Sequence, residues 1–202
     1  ACPSASQRSG ELSPMVSDTK AALMDIAEHA ARSRGFDGFS YADLAGAIGI
    51  RKASVHYHFP TKDDLAKALV DRYKAKLRAE CNAIDALHAT GGARLRAVLA
   101  FYRSALADGK EVCLCVALST SRESLSEPVT ERIGDIRAMM VSWLKTVYLR
   151  GADDDTIECV QDPMAEAYAT LALLEGAHLA ARTDGNILTF DAITELINNR
   201  CR

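Results

Sequence analysis

The sequence predicts an all-α protein in which three short helices are followed by a set of longer ones. Apolar residues recur at helical spacing along most of the 202-residue chain. Outside a few turn residues, no segment alternates between apolar and polar side chains with the period of two that a strand requires. Capping residues, glycines and prolines divide the chain into separate helices, so we expect no sheet.

The first helix is expected to begin near Ser17 and to end at Gly35. Residues 1–16 are rich in Ser, Pro and Gly and show no apolar period, which predicts a disordered tail. Ser40 is placed to cap a second, short helix, and Gly49 supplies the positive φ angle that a tight turn after it requires.

Pro60 limits a third helix to residues 51–59, because proline lacks the amide hydrogen and disfavours helical geometry in the preceding residue. Thr61 then caps a long fourth helix that runs to about Leu87, and the pair Gly91-Gly92 is expected to break the helical pattern. This long helix joins the two halves of the chain. Further helical patterns are predicted at residues 93–107, 112–122, 127–149, 162–183 and 189–199.

The net charge of −3 conceals an uneven distribution of charge along the chain. Residues 17–78 carry 11 Lys and Arg against 8 Asp and Glu, whereas residues 79–202 carry 12 against 18. A basic N-terminal third favours contact between that end of the molecule and phosphate groups. No segment resembles a membrane span or a signal peptide, and the six cysteines are too dispersed for a disulfide framework. We therefore expect a cytoplasmic protein with reduced thiols and no membrane partner.

The second and third predicted helices form a helix-turn-helix pattern, in which the later helix enters the major groove of DNA. That helix carries side chains suited to phosphate oxygens and base edges, and Ala53 is small enough to allow close approach. Lys62 begins the following helix, where its charge and the free backbone amides would both meet a phosphate. This third helix would be the recognition helix. Its side chains that are expected to contact DNA are Arg51, Lys52, Ser54, His56, Tyr57 and His58.

The DNA-binding domain of the tetracycline-repressor (TetR) family resembles residues 35–65 of this chain, which read GFDGFSYADLAGAIGIRKASVHYHFPTKDDL. One departure is His56, where the family usually has tyrosine. The matching positions are Gly35, Phe36, Ser40, Leu44, Ala45, Gly49, Ile50, Tyr57, His58, Phe59, Lys62 and Leu65. By position, the resemblance implies DNA contacts by Ser40, Tyr41, Lys52, Ser54, Tyr57, His58 and Lys62.

The resemblance also implies a helix-turn-helix DNA-binding domain at residues 17–62 and a helical signal-sensing and dimerisation domain at residues 63–202. It implies a homodimer on a near-palindromic DNA operator, with the last two long helices forming the dimer interface. A stripe of small residues there would let two helices approach closely, although Ala-rich stretches are also ordinary helix core. The residues of this predicted interface are Leu171, Leu174, Gly176, Ala177, Ala180 and Ala181.

The remaining helices of the family, at residues 93–160 here, normally enclose a pocket for a small molecule. Aromatic and methionine side chains at helical spacing would line such a pocket in this chain, or they would form ordinary core. The predicted lining residues are Phe101, Tyr102, Met139, Met140, Trp143, Val147 and Tyr148.

Cys113 and Cys115 are expected at the opening of a helix after Gly109. A helix N-terminus favours the thiolate, and a lowered pKa with partial exposure is what makes a cysteine a sensor of oxidants or electrophiles. The two thiols could instead bind a soft metal, or they could be small buried core residues. The histidines show no spacing typical of a zinc site, so the sequence predicts no metal site and no cofactor.

Together these features predict a sequence-specific transcriptional regulator, a repressor that a small molecule or thiol modification at Cys113 and Cys115 releases from its operator. The alternative is a repressor or activator that responds to an organic ligand in an apolar pocket and has structural cysteines. An enzyme or a ligand-binding adaptor is a remote alternative, because the chain has no Gly-rich phosphate loop, nucleophile elbow or metal motif. The expected partners are double-stranded operator DNA, a second copy of the chain and an unknown small-molecule or reactive inducer.

Overall fold

The computed structural model describes the backbone of residues 12–202 and the side chains of residues 18–202. Within this range the fold is all-α, as predicted, and its β-type pairing is an isolated antiparallel bridge between Ile157 and Cys201. No helix in this range is both long enough and apolar enough to cross a bilayer. The helices are α1 (Leu12–Arg34), α2 (Tyr41–Ile48), α3 (Lys52–His58), α4 (Lys62–Leu87), α5 (Gly91–Ser104), α6 (Leu114–Ser119), α7 (Glu127–Asp153), α8 (Pro163–Asp184) and α9 (Ile187–Asn198), with single 3-10 turns at Phe36–Gly38 and Arg122–Ser124.

The N-terminal head packs α1, α2, α3 and the first turns of α4 around one apolar centre. Ser40 caps α2 through a reciprocal pair of hydrogen bonds with Asp43, and Gly49 ends it with a φ angle of 71°. The left-handed conformation of Gly49 turns the chain sharply enough for α3 to cross α2. The buried residues that hold the four helices together are Leu23, Phe36, Phe39, Leu44, Val55, Phe59 and Leu65.

Helix α4 is the connection between the head and the rest of the chain. Thr61 caps it by accepting a hydrogen bond from the amide of Asp64, whose carboxylate accepts one in return from the amide of Thr61. One apolar face of this helix is buried along its whole length, because the helix runs from the head into the C-terminal core. The positions on this face are Leu65, Leu69, Tyr73, Leu77, Cys81 and Ile84.

The C-terminal core is formed by α5, α7, α8 and α9 packed against the second half of α4, with the short α6 inserted between α1, α4 and α7. The break predicted at Gly91 and Gly92 lies at residues 88–90, because the two glycines are the first residues of α5. A Cβ atom at Gly91 would lie 2.2 Å from the backbone nitrogen of Gly151. These glycines therefore allow close contact between α5 and α7.

Several predicted boundaries differ from the structure. The helix predicted at 127–149 continues to Asp153 as α7. Helix α1 begins at Leu12 rather than near Ser17, so residues 12–16 of the predicted disordered tail are helical, and its residues 1–11 lie outside the described range. The helix predicted at 93–107 ends at Ser104, because a turn with positive φ angles at 107–109 follows. The helix predicted at 112–122 is reduced to α6, because Cys113 is extended and the amide of Val112 donates to the carbonyl of Arg32.

Candidate nucleic-acid interface and sensor cavity

Helix α3 presents most of its polar side chains to solvent. Val55 is fully buried and Phe59 nearly so, and together they fix the orientation of the helix on the head. Tyr57 is 75% exposed and contacts the ring of His58 edge to face. Side chains on this outward surface are accessible to a DNA duplex, and a recognition helix requires this placement. Of the predicted DNA contacts on the helix, Arg51, Lys52, Ala53, His56 and Tyr57 are exposed, and Ser54 and His58 are half-buried.

Tyr41 and Ser40 serve the fold of the head, so the DNA contacts predicted for them need revision. Tyr41 is buried, and its hydroxyl donates to the carbonyl oxygen of Thr61 at 2.5 Å. Burial first, and then the charge of Asp64, raises the pKa of Tyr41 to about 12. Ser40 is exposed, but its hydroxyl donates to the Asp43 carboxylate and accepts from the Asp43 amide. Neither hydroxyl is free for a phosphate.

Lys62 is also committed within the head, contrary to the predicted phosphate contact. Its Nζ donates to the carbonyl oxygens of Phe36 at 2.7 Å and of Phe39 at 2.8 Å. The ammonium also lies over both aromatic rings, 4.8 Å and 4.6 Å from their centroids. Burial lowers the pKa of Lys62, and the nearby Asp37 opposes this effect. By donating to both carbonyls, the Lys62 side chain links the start of α4 to the turn before α2.

A charged cluster between α1, α4 and the turn before α6 was not predicted from the sequence. Arg72 on α4 donates to the Glu28 carboxylate on α1 at 2.6 Å. Arg32 on α1 donates to the carbonyl of Val112 at 3.0 Å and pairs with Glu111 at 3.2 Å. Only the Glu28 and Arg32 pair, four residues apart, was readable as a helical ion pair. The other partners are distant in sequence and meet through the packing of the helices.

A small cavity lies where α4, α5, α6, α7 and α8 meet. Its volume is about 10 Å³, which is enough for about one water molecule. Two predicted pocket residues, Tyr102 and Met140, line it, as do both predicted sensing cysteines. The lining residues are Tyr73, Leu77, Tyr102, Cys113, Cys115, Ile136, Arg137, Met140, Leu171 and Glu175.

The other predicted pocket residues lie outside this cavity because helical spacing alone does not define which neighbour a face meets. The indole nitrogen of Trp143 donates to the Asp85 carboxylate at 3.0 Å. The hydroxyl of the fully buried Tyr148 lies 2.5 Å from that of Thr170. Val147 is fully buried, and Phe101 and Met139 are partly buried against the core. Of the predicted lining residues, Tyr102 and Met140 are those that line this cavity.

Cys113 lies at the predicted helix opening, but neither cysteine has the predicted partial exposure. The Sγ atom of Cys113 caps α6 by accepting a hydrogen bond from the Val116 amide at 3.4 Å. Burial raises the pKa of Cys113 to about 12, although the Val116 bond acts against this shift. Burial likewise raises the pKa of Cys115 well above its ordinary value. Both thiols are therefore protonated and shielded in this conformation.

His178 on α8 fixes the start of α6 relative to α5. Its Nδ1 accepts a hydrogen bond from the Cys113 amide at 2.9 Å, and its Nε2 donates to the carbonyl of Tyr102 at 3.0 Å. The ring is fully buried between Tyr102 and Phe190. Burial lowers the pKa of His178 to about 4, so the ring is neutral at pH 7. Histidine at this position thus bridges two elements on either side of the cavity.

The predicted dimer stripe on α8 is mostly core of the same chain. Leu171, Leu174, Ala177 and Ala181 are buried, Gly176 is exposed and Ala180 is half-buried. The exposed face of α8 instead combines large apolar residues with two small ones, at spacings of three and four positions. This face contains Met164, Tyr168, Ala172, Gly176 and Leu179, and α9 adds the exposed Leu188 and Leu196.

Cysteine, histidine and carboxylate side chains do not converge on a metal site in the described chain. Among residues 18–202, no group of three or more of them lies close enough to hold an ion. The described cysteines, Cys81, Cys113, Cys115, Cys159 and Cys201, are all free thiols.

The comparison with known proteins agrees with this geometry. The family model described as "Bacterial regulatory proteins, tetR family" matches residues 23–69, which span the helix-turn-helix. No curated protein sequence matches the chain significantly.

Solved structures resemble nearly the whole chain. A TetR-family transcriptional regulator from Agrobacterium tumefaciens is 29% identical, with a TM-score of 0.86 over 92% of this chain and 98% of that one. A TetR transcriptional regulator from Legionella pneumophila is 24% identical, with a TM-score of 0.80 over 91% and 97% of the two chains. The reduced form of E. coli NemR is 21% identical, with a TM-score of 0.77 over 92% and 97%. The family model on the head and the shared fold of the whole chain lead to one conclusion: residues 23–69 form a domain of the tetR family of bacterial regulatory proteins, and the chain has the fold of the TetR-family transcriptional regulators.

Proposed function

We propose that the protein is a homodimeric repressor that binds a near-palindromic operator and leaves it when a small organic molecule enters the cavity beside α4. One observation carries this proposal: Tyr73 and Leu77, on the helix that starts at the DNA-binding head, form part of the cavity wall. A ligand that enlarges the cavity must displace the helices around it. Helix α4 is continuous from Lys62 to Leu87, so a displacement at its centre reaches the head.

Two sets of contacts link the head to the C-terminal core. Helix α4 is one, and its first turn is tied to the loop before α2 by Lys62. The charged cluster of Arg32, Arg72 and Glu111 is the other, because it joins α1 and α4 to the segment that leads into α6. A shift of α4 would change the separation of the two α3 helices in a dimer, whereas the spacing of operator half-sites is fixed. A coupling free energy of about 1–3 kcal/mol suffices for regulation.

The proposed DNA contacts are the side chains that α3 leaves exposed or half-buried. Arg51 and Lys52 supply charge for phosphates and guanine edges, and Tyr57 supplies a free hydroxyl. Ser54, His56 and His58 add shorter donors, and Ala53 permits close approach. Tyr41, Ser40 and Lys62 are proposed to position this surface. A bound dimer would cover the operator. The proposed location of the protein and its DNA target is the cytoplasm.

The proposed dimer interface is the exposed apolar face of α8 and α9. Tyr168 and Leu179 are 60% and 45% exposed, and Leu188 and Leu196 are 62% and 71% exposed. Large apolar side chains on two adjacent helices form the kind of surface that a two-fold partner covers. Gly176 lies between the large residues of α8, where it would let a second α8 approach closely.

Thiol modification is a second proposed signal, because Cys113 and Cys115 line the same cavity. Their buried, protonated state makes direct attack on an electrophile slow, since the thiolate is the nucleophile. A reagent would have to open the cavity first. An organic ligand therefore remains the first proposed signal, with the cysteines as part of the wall.

Selection of operators from a randomised pool of duplexes tests the proposed function. Recovery of one two-fold symmetric site, footprinted by a dimer, is expected. Uniform coating of DNA, or no recovery of any sequence, would overturn the proposal. A promoter that contains the selected site should then lose transcription when the protein is added, whereas increased transcription would identify an activator.

Cysteine variants separate the two proposed signals. Operator binding is measured by gel shift before and after treatment with peroxide or N-ethylmaleimide, for the parent protein and for Cys113→Ser and Cys115→Ser. Loss of binding that needs either thiol would establish thiol sensing. Binding that survives every treatment would assign the two cysteines to the cavity wall and leave the organic ligand as the signal.

A further inference from the structure

We infer that the ligand is a small amphipathic carboxylic acid, which enters by a surface groove between α6 and α7 and pairs with Arg137. This inference rests on the proposed ligand-controlled function and specifies the chemical class of the ligand. Three features of the described chain support it. The groove has apolar and cationic lining residues, Arg137 lines both the groove and the cavity, and the Glu175 carboxylate is already bound to Arg137.

The groove has a volume of about 190 Å³ and opens to solvent beside the cavity. Leu125, Ile133 and Gly134 supply apolar surface, whereas Arg122 and Arg137 supply positive charge. No Asp or Glu lines the groove. An apolar wall with two cations and no anion is complementary to a negatively charged molecule with an apolar body.

Arg137 separates the groove from the cavity, because it lines both. On the cavity side, its Nη1 donates to both carboxylate oxygens of Glu175. Within residues 18–202, its Nε and Nη2 donate to no protein group. The Arg137 side chain is 42% exposed and that of Glu175 only 16%. The guanidinium thus has unused donors and is accessible from outside.

A carboxylate is the anion that this arrangement favours. Arginine binds a carboxylate through two parallel hydrogen bonds, and Nε with Nη2 is one of the pairs that can form them. The native partner, Glu175, shows that a carboxylate is accommodated next to this guanidinium. An incoming acid would exchange one carboxylate partner for another and leave the arginine paired. Its apolar chain would occupy the surface of Leu125 and Ile133.

The groove is also close to the first turn of α4. Leu125 in its wall is followed by Ser126, the residue that precedes α7. Asp63, next to Lys62, lies beside Ser126. The pKa of the Asp63 carboxyl is lowered, first by the hydrogen bond from Lys67 and second by the neighbouring Ser126. Asp63 Oδ1 and Ser126 Oγ are buried without a well-formed hydrogen bond. A ligand that moves Leu125 would therefore disturb the contact of Ser126 with Asp63, which joins the C-terminal core to the head.

Binding of hexanoate, hexan-1-ol, hexylammonium and hexyl phosphate to the full-length protein tests the inference by calorimetry. The variants are Arg137→Gln, Glu175→Gln and the double variant. Arg132→Gln is the control, because Arg132 lies on the same helix as Arg137 but outside the groove and forms an exposed ion pair with Asp71 of α4. We expect saturable binding of hexanoate only. Glu175→Gln should tighten it about tenfold by removing the internal competitor, and Arg137→Gln should weaken it at least tenfold. Arg132→Gln should leave the affinity unchanged.

Several outcomes would overturn the inference. Equal binding of hexanoate and hexan-1-ol would show that charge is not recognised, and preference for hexyl phosphate would show a different anion class. Weaker or unchanged hexanoate binding in Glu175→Gln would exclude competition at Arg137 even where Arg137→Gln fails to fold. Operator selection without ligand is independent: normal operator binding with no hexanoate binding rejects only this inference, whereas no operator binding rejects the proposed function.

Discussion

Two tyrosines of the head illustrate how burial determines the role of a single residue. Tyr41 directs its hydroxyl into the fold, where it donates to the carbonyl of Thr61, and Tyr57 is 75% exposed on α3. The resemblance to TetR proteins implied a DNA contact for both. The difference arises because Tyr41 occupies the first turn of α2, which faces the start of α4.

Replacement of each tyrosine by phenylalanine should therefore produce opposite effects. Tyr41→Phe removes the partly buried hydrogen bond to the Thr61 carbonyl, so we expect the free energy of unfolding to fall by about 1 kcal/mol in urea denaturation. Tyr57→Phe should change this free energy by less than about 0.5 kcal/mol and weaken operator binding several-fold in fluorescence anisotropy. A stability loss for Tyr57→Phe without loss of affinity would contradict this assignment.

Lys62 and Lys52 can be separated by the salt dependence of operator binding. Removal of a lysine that contacts phosphate reduces the slope of log K against log salt concentration by about 1. We expect this for Lys52→Gln. Lys62→Met should instead lower the free energy of unfolding by about 1–3 kcal/mol and keep the slope, because its ammonium serves two carbonyls. A reduced slope in Lys62→Met would restore the phosphate contact.

His178 should make the protein less stable in acid. Its pKa is lowered from 6.5 to about 4 in the folded chain, so between these values the unfolded chain binds a proton that the folded chain does not. Stability should therefore fall as pH decreases through this range, by up to about 1.4 kcal/mol for each pH unit.

Urea denaturation between pH 7 and pH 4 measures this dependence. Gln at position 178 keeps a donor and an acceptor but does not titrate, so His178→Gln should flatten the curve relative to the parent protein. Parallel curves for the parent and His178→Gln would show that other groups cause the acid sensitivity.

At the scale of elements, the contact between α5 and α7 depends on glycine. Gly91 was expected to end a helix but instead starts α5, where its amide donates to the Asp154 carboxylate at 2.9 Å. The absence of a side chain lets the backbones of the two helices touch. Glycine in this case provides proximity and does not interrupt the fold.

Alanine at Gly91 should consequently lower the free energy of unfolding by about 3 kcal/mol, because its Cβ would overlap backbone atoms of Gly151. Gly134→Ala, on the middle of α7 with open space around it, should raise this free energy by up to about 1 kcal/mol through helix propensity. Thermal and urea unfolding provide both values. Equal effects in the two variants would refute the close-contact explanation.

At the scale of the whole molecule, the outer face of α8 and α9 is expected to hold two copies together. Tyr168→Glu combined with Leu179→Glu places four carboxylates in a two-fold interface, which should raise the dimer dissociation constant at least about hundredfold. Sedimentation measures this change, and operator affinity should fall with it. Leu87→Glu is the control, since Leu87 is 78% exposed at the end of α4. Dimers that persist in the double variant would place the interface elsewhere.

Local sequence signals predicted most elements of this fold correctly. Ser40 and Thr61 cap α2 and α4 through their own backbone neighbours, and Gly49 needs its positive φ wherever the turn lies. The buried face of α4 follows from periodicity because the helix is long and has one apolar side. The match of the head to a known family rests on the same short-range pattern.

Only the tertiary structure decided which side chains are free and which are used. Lys62 and Tyr41 carry the donors predicted for them, but groups that the fold brings near accept their hydrogen bonds. Cys113 lies at the predicted helix opening, but burial raises the pKa of its thiol. The pairing of Arg137 with Glu175 and the link from His178 to Cys113 join residues 38 and 65 positions apart. Sequence alone determined the helices and the family of the head, since these depend on local pattern. Burial and long-range partners depend on how the helices pack, and they decided the composition of the site.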